Sequence, residues 1–329
     1  MMDATVDNGL TQRGGERRGF STIRSARKLL ARPAVTRALW ALTLIVGAAA
    51  IYQAGVHSHT ADAYSYWSYR LDADPWACPP NTAIDGISCS HPYTPAFAQM
   101  LAPLQTLPFP VFSALWTAAA FTCLLILLGR WAGLAAILLP PVGHELANTN
   151  FALPLTLVAA FGTRYPVLWT VALLTKITPG IGAAWFLVRR EWRNAGVVLG
   201  LTGLVVAASV FVAPDAWPAW LSWLAANTGH YEHPDAIPIP LWLRLPLALA
   251  LVTWGARTDR RWTIALAMWL ALPEMWVAES VILLGGLRSR VPALAVQGGK
   301  SGEVVDVPVR EDVRRPGRDR VLPDPRAIE

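Results

Sequence analysis

Of the 329 residues, 54% are hydrophobic and 15% charged, where a soluble domain carries about 25% charged residues. The mean hydropathy is +0.37, and the apolar excess recurs from about residue 36 to 287. That excludes a soluble enzyme, and it excludes a lone signal peptide as the source of the apolarity. The net charge of +6 sits at the ends: residues 1–37 hold eight basic and three acidic residues, 288–329 nine and seven, and the stretch between them eleven and twelve. Basic ends suit two cytoplasmic tails better than a nucleic-acid surface, so no nucleic-acid partner is expected.

In chain order the pattern predicts an all-α, polytopic membrane protein with about ten transmembrane or half-membrane helices. Residues 1–34 read as a disordered cytoplasmic tail, 35–287 as the membrane domain and 288–329 as a second such tail. The first span is 35–55. An external loop, 56–94, follows, rich in Asp, Pro, Tyr and Trp. Residues 95–109 are apolar but broken by Pro95, Pro103 and Pro108, and read as an interfacial or re-entrant helix. Spans are expected at 111–129, 131–143 and 150–163, the first and last of these closed by Arg130 and Arg164. The apolar block 166–188 carries Lys176 and Pro179 in its middle and ends in Arg189, Arg190 and Arg193. Residues 195–213 make a further span, and 214–240 an external loop rich in Trp and Pro. After 241–256 come the cluster Arg257, Arg260, Arg261 and two short segments, 262–272 and 276–287.

Charge orients this set. With an Arg-rich N-terminus inside, Arg130, Arg164 and both later Arg clusters fall inside only if 166–188 is two half-length helices that enter and leave on the cytoplasmic side. Ten of the twelve acids between the tails and all six histidines then fall outside. The expected setting is the plasma (inner) membrane, with both tails cytoplasmic and the polar chemistry on the external face. Cys78 and Cys89 share the loop 56–94, where an oxidising compartment permits either a disulfide or two free thiols. Cys123 lies inside a span and reads as packing.

Several groups of residues are able to carry chemistry. Asp62 opens a stretch with Tyr64, Tyr66 and Trp67, just outside the first span. It reads either as a solvated helix cap or as a general base set among aromatics that stack on sugars. His91, Tyr93 and Pro95 form a proline-rich helix entry. Glu145 to Asn150 is an external turn, either plainly polar or lining a site. Lys176 is the only Lys between residues 29 and 299. It lies within an apolar block, so it is either a snorkelling side chain or a phosphate ligand where two half-helices meet. In the loop 227–240, His230, Glu232 and His233 lack a clear third metal ligand, and His230 reads better as a contact to a hydroxyl or phosphate. No nucleotide-binding fingerprint or Cys-rich metal signature occurs, which argues against an ATP-driven pump.

These pieces, in this order, resemble the GT-C superfamily of polyprenol-phosphate-sugar-dependent glycosyltransferases. Within it they resemble glycosyltransferase family 87, the actinobacterial mannosyl- and arabinosyltransferases, over roughly residues 36–287. Asp62 with Tyr64, Tyr66 and Trp67 is similar to the acidic-aromatic start of the first external loop, where the superfamily keeps its catalytic Asp. Tyr93-Thr94-Pro95 through Pro103, then Leu115-Trp116, resembles a Tyr-Pro-Pro entry and Leu-Trp helix. Lys176-Ile177-Thr178-Pro179 and Arg189 to Arg193 resemble a Lys-x-x-Pro and basic segment. Where the family has Gly-Gln-x-Asn this chain reads Ala147-Asn148-Thr149-Asn150, so only Asn150 carries over. In the later Ser-Trp-His region only Trp276 does.

The resemblance implies a hexosyltransferase of GT-C fold. It implies transfer of a sugar, mannose first, from a polyprenyl-phosphate donor to a glycolipid or polysaccharide acceptor at the external face of the bilayer. Transfer is inverting, with Asp62 as base and Lys176 on the donor phosphate. Tyr64, Tyr66, Trp67, His91, Tyr93, Asn150, His230 and Trp276 contact substrate, and no metal or cofactor is demanded. The rival readings are an arabinofuranosyltransferase of the same family, a non-catalytic membrane scaffold, and a secondary transporter. A transporter predicts internal repeats, which the sequence lacks.

Overall fold

The computed structural model describes residues 30–56, 61–68, 83–84, 87–88, 93–227 and 236–290, and these fold almost wholly into helix. Cys78, Cys89, His91 and His230 lie outside these residues, as do 1–29 and 291–329. Strand pairing among the described residues is limited to a two-residue hairpin, β1 (Ala83–Ile84) with β2 (Ile87–Ser88), and a bridge between Ala236 and Trp276.

Helix α1 (Pro33–Val56) starts on a proline, which loses nothing where the first N–H has no helical partner. The short helices α2 (Ala61–Ser68) and α3 (Pro95–Gln105) come next. Helix α4 (Phe109–Leu128) then packs antiparallel on α1, because Gly47 leaves room for the Phe121 ring and Gly55 sits against Ala114. Gly129, at φ 56 and ψ −129, reverses the chain in a conformation that essentially only glycine adopts. The returning helix α5 (Ala132–Leu138) lays Gly133 on the backbone of Thr43, whose hydroxyl donates to Arg130 O at 2.8 Å.

The expected span 131–143 is therefore two helices. Leu139 is extended, as a residue before proline prefers, and α6 (Pro140–Asn148) starts afresh on Pro140. Helix α7 (Ala152–Phe161) follows. The block 166–188 breaks at Lys176, which has extended backbone (φ −110, ψ 96) after α8 (Leu168–Thr175). A 3-10 segment, Thr178–Ala183, and α9 (Ala184–Val188) complete it. Gly180 backs onto Leu173 and Gly182 onto Trp169, so the two halves lie side by side and the block enters and leaves at one end.

Helix α10 (Trp192–Val212) is followed by α11 (Ala216–Asn227), a Trp-rich helix inside the segment expected to be loop; it buries Trp220 and Trp223 against Ala98. Helices α12 (Leu241–Thr258) and α13 (Trp262–Leu270) form a tight antiparallel pair around Asp259 (φ 53). The expected segment 276–287 begins as 3-10 helix, Ala278–Ile282, and becomes α14 (Leu283–Arg290). Gly285 seats α14 on α7, and Gly286 seats it on α13.

Among the described residues three apolar helical stretches are long enough to cross a membrane: Pro33–Val56, Phe109–Leu138 with its break at Gly129, and Trp192–Val212. Their outer faces carry large apolar side chains bare of protein, such as Leu44, Leu199, Leu204 and Phe211, the last 90% exposed. Surface of that kind belongs against lipid. The chain is thus an all-helical membrane protein.

Candidate functional site

Helix α2 places Asp62 and Tyr66 one turn apart on one face. Tyr66 is fully buried. Its backbone carbonyl accepts from Gln105 Nε2 at 2.8 Å, and Trp67 Nε1 donates to Leu107 O at 2.8 Å. These two bonds fix α2 against the end of α3. Asp62 is half-buried. Burial raises its carboxyl from 3.8 to about 6; the positive charge of Lys176 draws it back down and the negative charge of Glu279 adds to the rise. A freely solvated helix cap is therefore the wrong description of this residue.

From Tyr66 a polar chain runs into the protein. Its hydroxyl meets that of Tyr93 at 2.8 Å and donates to Asn150 Oδ1 at 3.2 Å. Asn150 Nδ2 donates to Glu279 Oε1 at 3.4 Å, and the same oxygen takes the ammonium of Lys176 in an ion pair. Lys176 Nζ also stands over the Tyr93 ring, 5.9 Å from its centre. Five segments distant in sequence thus converge on one connected polar group.

Local structure explains each placement. Lys176 sits where α8 ends, and the hydroxyl of Thr94 donates to Leu174 O, pinning that end beside Tyr93. Asn150 follows Thr149, a β-branched residue at φ 57. Such a residue rarely adopts that conformation, so the turn is over-determined by its neighbours. One of them is Trp116, whose Nε1 donates to Thr149 O at 2.9 Å. Asn150 Oδ1 also accepts from the N–H of Phe151 at 2.6 Å, which fixes the amide's orientation. Around these groups Tyr66, Phe97, Phe112, Trp116 and Phe151 pack edge-on, tilted or stacked.

Two carboxylates at the site were not singled out from sequence as site residues in their own right. Glu279 and Glu145 are each 1% exposed, and each has an Oε2 that is buried without a partner. Glu279 stands in the short apolar segment 276–287, and an ionisable residue there carries the same signal that marked Lys176. Glu145 stands in the turn read as either plainly polar or lining a site, and α6 turns it inward. Alternation along the chain assigns a side of the membrane, not burial, and so hid Glu279.

Arg244 was missed as well. It is buried on α12 and donates to four carbonyls: Ile239 O (2.6 Å), Leu270 O (2.8 Å), Leu272 O (2.8 Å) and Pro273 O (3.1 Å). The clamp holds the chain just before Glu274. Trp276 Nε1 donates to Glu274 Oε2 at 3.0 Å, and burial raises the Glu274 carboxyl from 4.5 to about 7.

Of the residues expected from sequence, the structure joins Tyr66, Tyr93, Asn150 and Lys176, with Asp62 beside them in electrostatic reach of Lys176. Tyr64 and Trp67 pack on Phe109, at 5.1 and 5.4 Å between ring centres. Trp276 is engaged with Glu274. Among the described residues no group of three or more His, Cys, Asp or Glu is placed to hold a metal ion. The arrangement offers a carboxylate able to take a proton and a fixed cation able to meet an anion, in a setting of low dielectric.

Comparison with known proteins gives one family. The model of glycosyltransferase family 87 matches residues 91–297, more than half of the chain, which covers Asn150, Lys176 and Glu279 and starts after Asp62. No curated protein and no solved structure matches.

Proposed function

The chain belongs to glycosyltransferase family 87, and from that premise we propose that it transfers a sugar, mannose in the first instance, from a polyprenyl-phosphate donor to a hydroxyl of a glycolipid or polysaccharide. The observation that carries this reading is the convergence of Lys176, at the tip of a folded-back apolar block, with Asp62 on a helix just past the first span.

In this reading the donor enters sideways from the bilayer with its tail in lipid. Lys176 meets the phosphate. Asp62 takes the proton of the acceptor hydroxyl as its oxygen attacks the anomeric carbon. The bond from that carbon to the phosphate oxygen breaks, and the electron pair leaves with the phosphate. One displacement inverts the anomeric centre. A fixed cation at the leaving oxygen stabilises charge where it develops, and a carboxyl raised toward neutrality by burial is better matched to accept a proton. The site faces outward, with both tails in the cytoplasm and the domain 35–287 carrying the chemistry. Tyr66, Tyr93 and Asn150 line the sugar or the phosphate.

The test is incubation of membranes holding the protein with radiolabelled polyprenyl-phosphate-mannose and, separately, polyprenyl-phosphate-arabinose. Label should pass from the mannose donor to a lipid or polysaccharide acceptor. Label passing only from the arabinose donor replaces the sugar, and no transfer from either refutes the catalytic reading.

A further inference from the structure

Resting on the phosphate role of Lys176 given above, we propose that Glu279 is a positioning residue that makes the Lys176 site favour a phosphodiester over a phosphomonoester, and so ejects the spent carrier after transfer. Glu279 is buried on its 3-10 segment, its Oε1 holds Lys176 and Asn150, and its Oε2 has no partner. The Lys176 ammonium, itself partly buried, is thus paired with a carboxylate.

An ammonium has three N–H donors. One serves Glu279, and two remain for a phosphate, so the anion joins Lys176 without displacing the carboxylate. It then lies beside a negative charge that water screens poorly.

The reaction changes the charge of what Lys176 holds. The donor is a phosphodiester with one negative charge. Transfer forms the bond between the acceptor oxygen and the anomeric carbon, breaks that carbon's bond to phosphate, and sends the acceptor proton to Asp62. The carrier is left as a phosphomonoester, which carries about −1.5 to −2 near neutral pH. With Lys176 alone the product would be held more tightly than the donor. Glu279 cancels most of the Lys176 field at the anion, and the cost of taking the anion out of water, which grows with the square of its charge, then favours the diester.

The test uses the full-length protein in lipid nanodiscs. Binding of a polyprenyl phosphate and of its methyl phosphodiester is measured for wild type, Glu279→Gln, Glu279→Asp and Lys176→Ala. Wild type should prefer the diester. Glu279→Gln should raise the affinity for the monoester relative to the diester about tenfold or more and slow multiple turnover more than it slows single-turnover transfer. Glu279→Asp, which keeps the charge, should keep the wild-type preference. An unchanged ratio in Glu279→Gln overturns the proposal. So does a wild type that holds the monoester as tightly as the diester, a result that needs no variant to fold. Lys176→Ala binding both lipids as wild type does would instead remove the phosphate role on which the proposal rests.

Discussion

Arg189 donates from its guanidinium to Asp259 Oδ1 at 3.1 Å and to Ala256 O at 3.2 Å. This contact ties the end of the folded-back block to the turn between α12 and α13, so both arginine clusters lie at one end of the bundle. At the turn between α4 and α5, Arg130 reaches Thr36 Oγ1, near the start of α1, at 3.1 Å. Single cysteines at 190 and 259 in a Cys-free background should therefore label from one face of the membrane, and a cysteine at exposed position 144 from the other. Labelling of 144 and 259 from the same face would break the two-half-helix topology.

In the proposed transfer Asp62 is the base, and burial lifts its carboxyl from 3.8 to about 6. A base works only when ionised. The transfer rate should rise about tenfold per pH unit below 6 and level off above it. Stability moves the other way: between pH 3.8 and about 6 the folded protein holds this proton more tightly than the unfolded chain, so the contribution of Asp62 to stability falls as pH rises. A rate profile flat from pH 5 to 7 would remove Asp62 from the rate-determining step.

Lys176 and Glu279 should be strongly coupled. Lys176→Met leaves a buried carboxylate without its counter-ion, a change that costs about 3–5 kcal/mol when the pair is well buried. Glu279→Gln in the same chain should recover much of the lost stability, and donor use should stay low because the cation is still missing. Lys176→Arg should harm less than Lys176→Met, though a planar guanidinium does not fill the place of an ammonium. Additive losses of melting temperature in the double variant would show that the pair is not coupled.

Much of this was legible in the sequence, for physical reasons that differ by residue. The fold-back at Lys176 follows from a cation beside Pro179 in an otherwise apolar block, because both the charge and the missing N–H oppose an unbroken span. Asn150, Tyr66 and Tyr93 were found as polar or aromatic residues at loop edges. The contact of Glu279 with Lys176 spans 103 residues, and no local period encodes a pairing of that length. Pro140 marked a helix start that splits an expected span. Tyr64 and Trp67 share the aromatic signature of sugar contacts, but that signature is also met by packing on Phe109, as happens here.

Arg244 should matter for stability more than for chemistry. Its guanidinium satisfies four carbonyls with a planar fork that no other side chain reproduces. Arg244→Lys should cost about 2–4 kcal/mol, because several buried acceptors lose their donor. The expected readout is a lower melting temperature, with transfer per folded molecule changed far less than in Asp62 variants. Wild-type melting in Arg244→Lys would mean that water replaces the lost donors.

Asp62→Asn isolates the proton transfer. The amide keeps the size of the carboxyl and its place on α2, and it adds no charge to a half-buried position. It cannot accept the acceptor's proton, and loss of a positioned base costs about 10²–10⁴-fold in rate. Donor affinity should survive, because Lys176 keeps Glu279 and Asn150 around it. Protein level should survive too, since removing a carboxyl that burial already strains relieves a cost. Asp72, Asp74 and Asp85, the other acids of the loop 56–94, should each tolerate the same change with little loss. The contrast separates one catalytic carboxylate from a generally acidic loop. Transfer at the wild-type rate by Asp62→Asn, with donor affinity unchanged, would end the assignment and make a non-catalytic membrane scaffold the better reading.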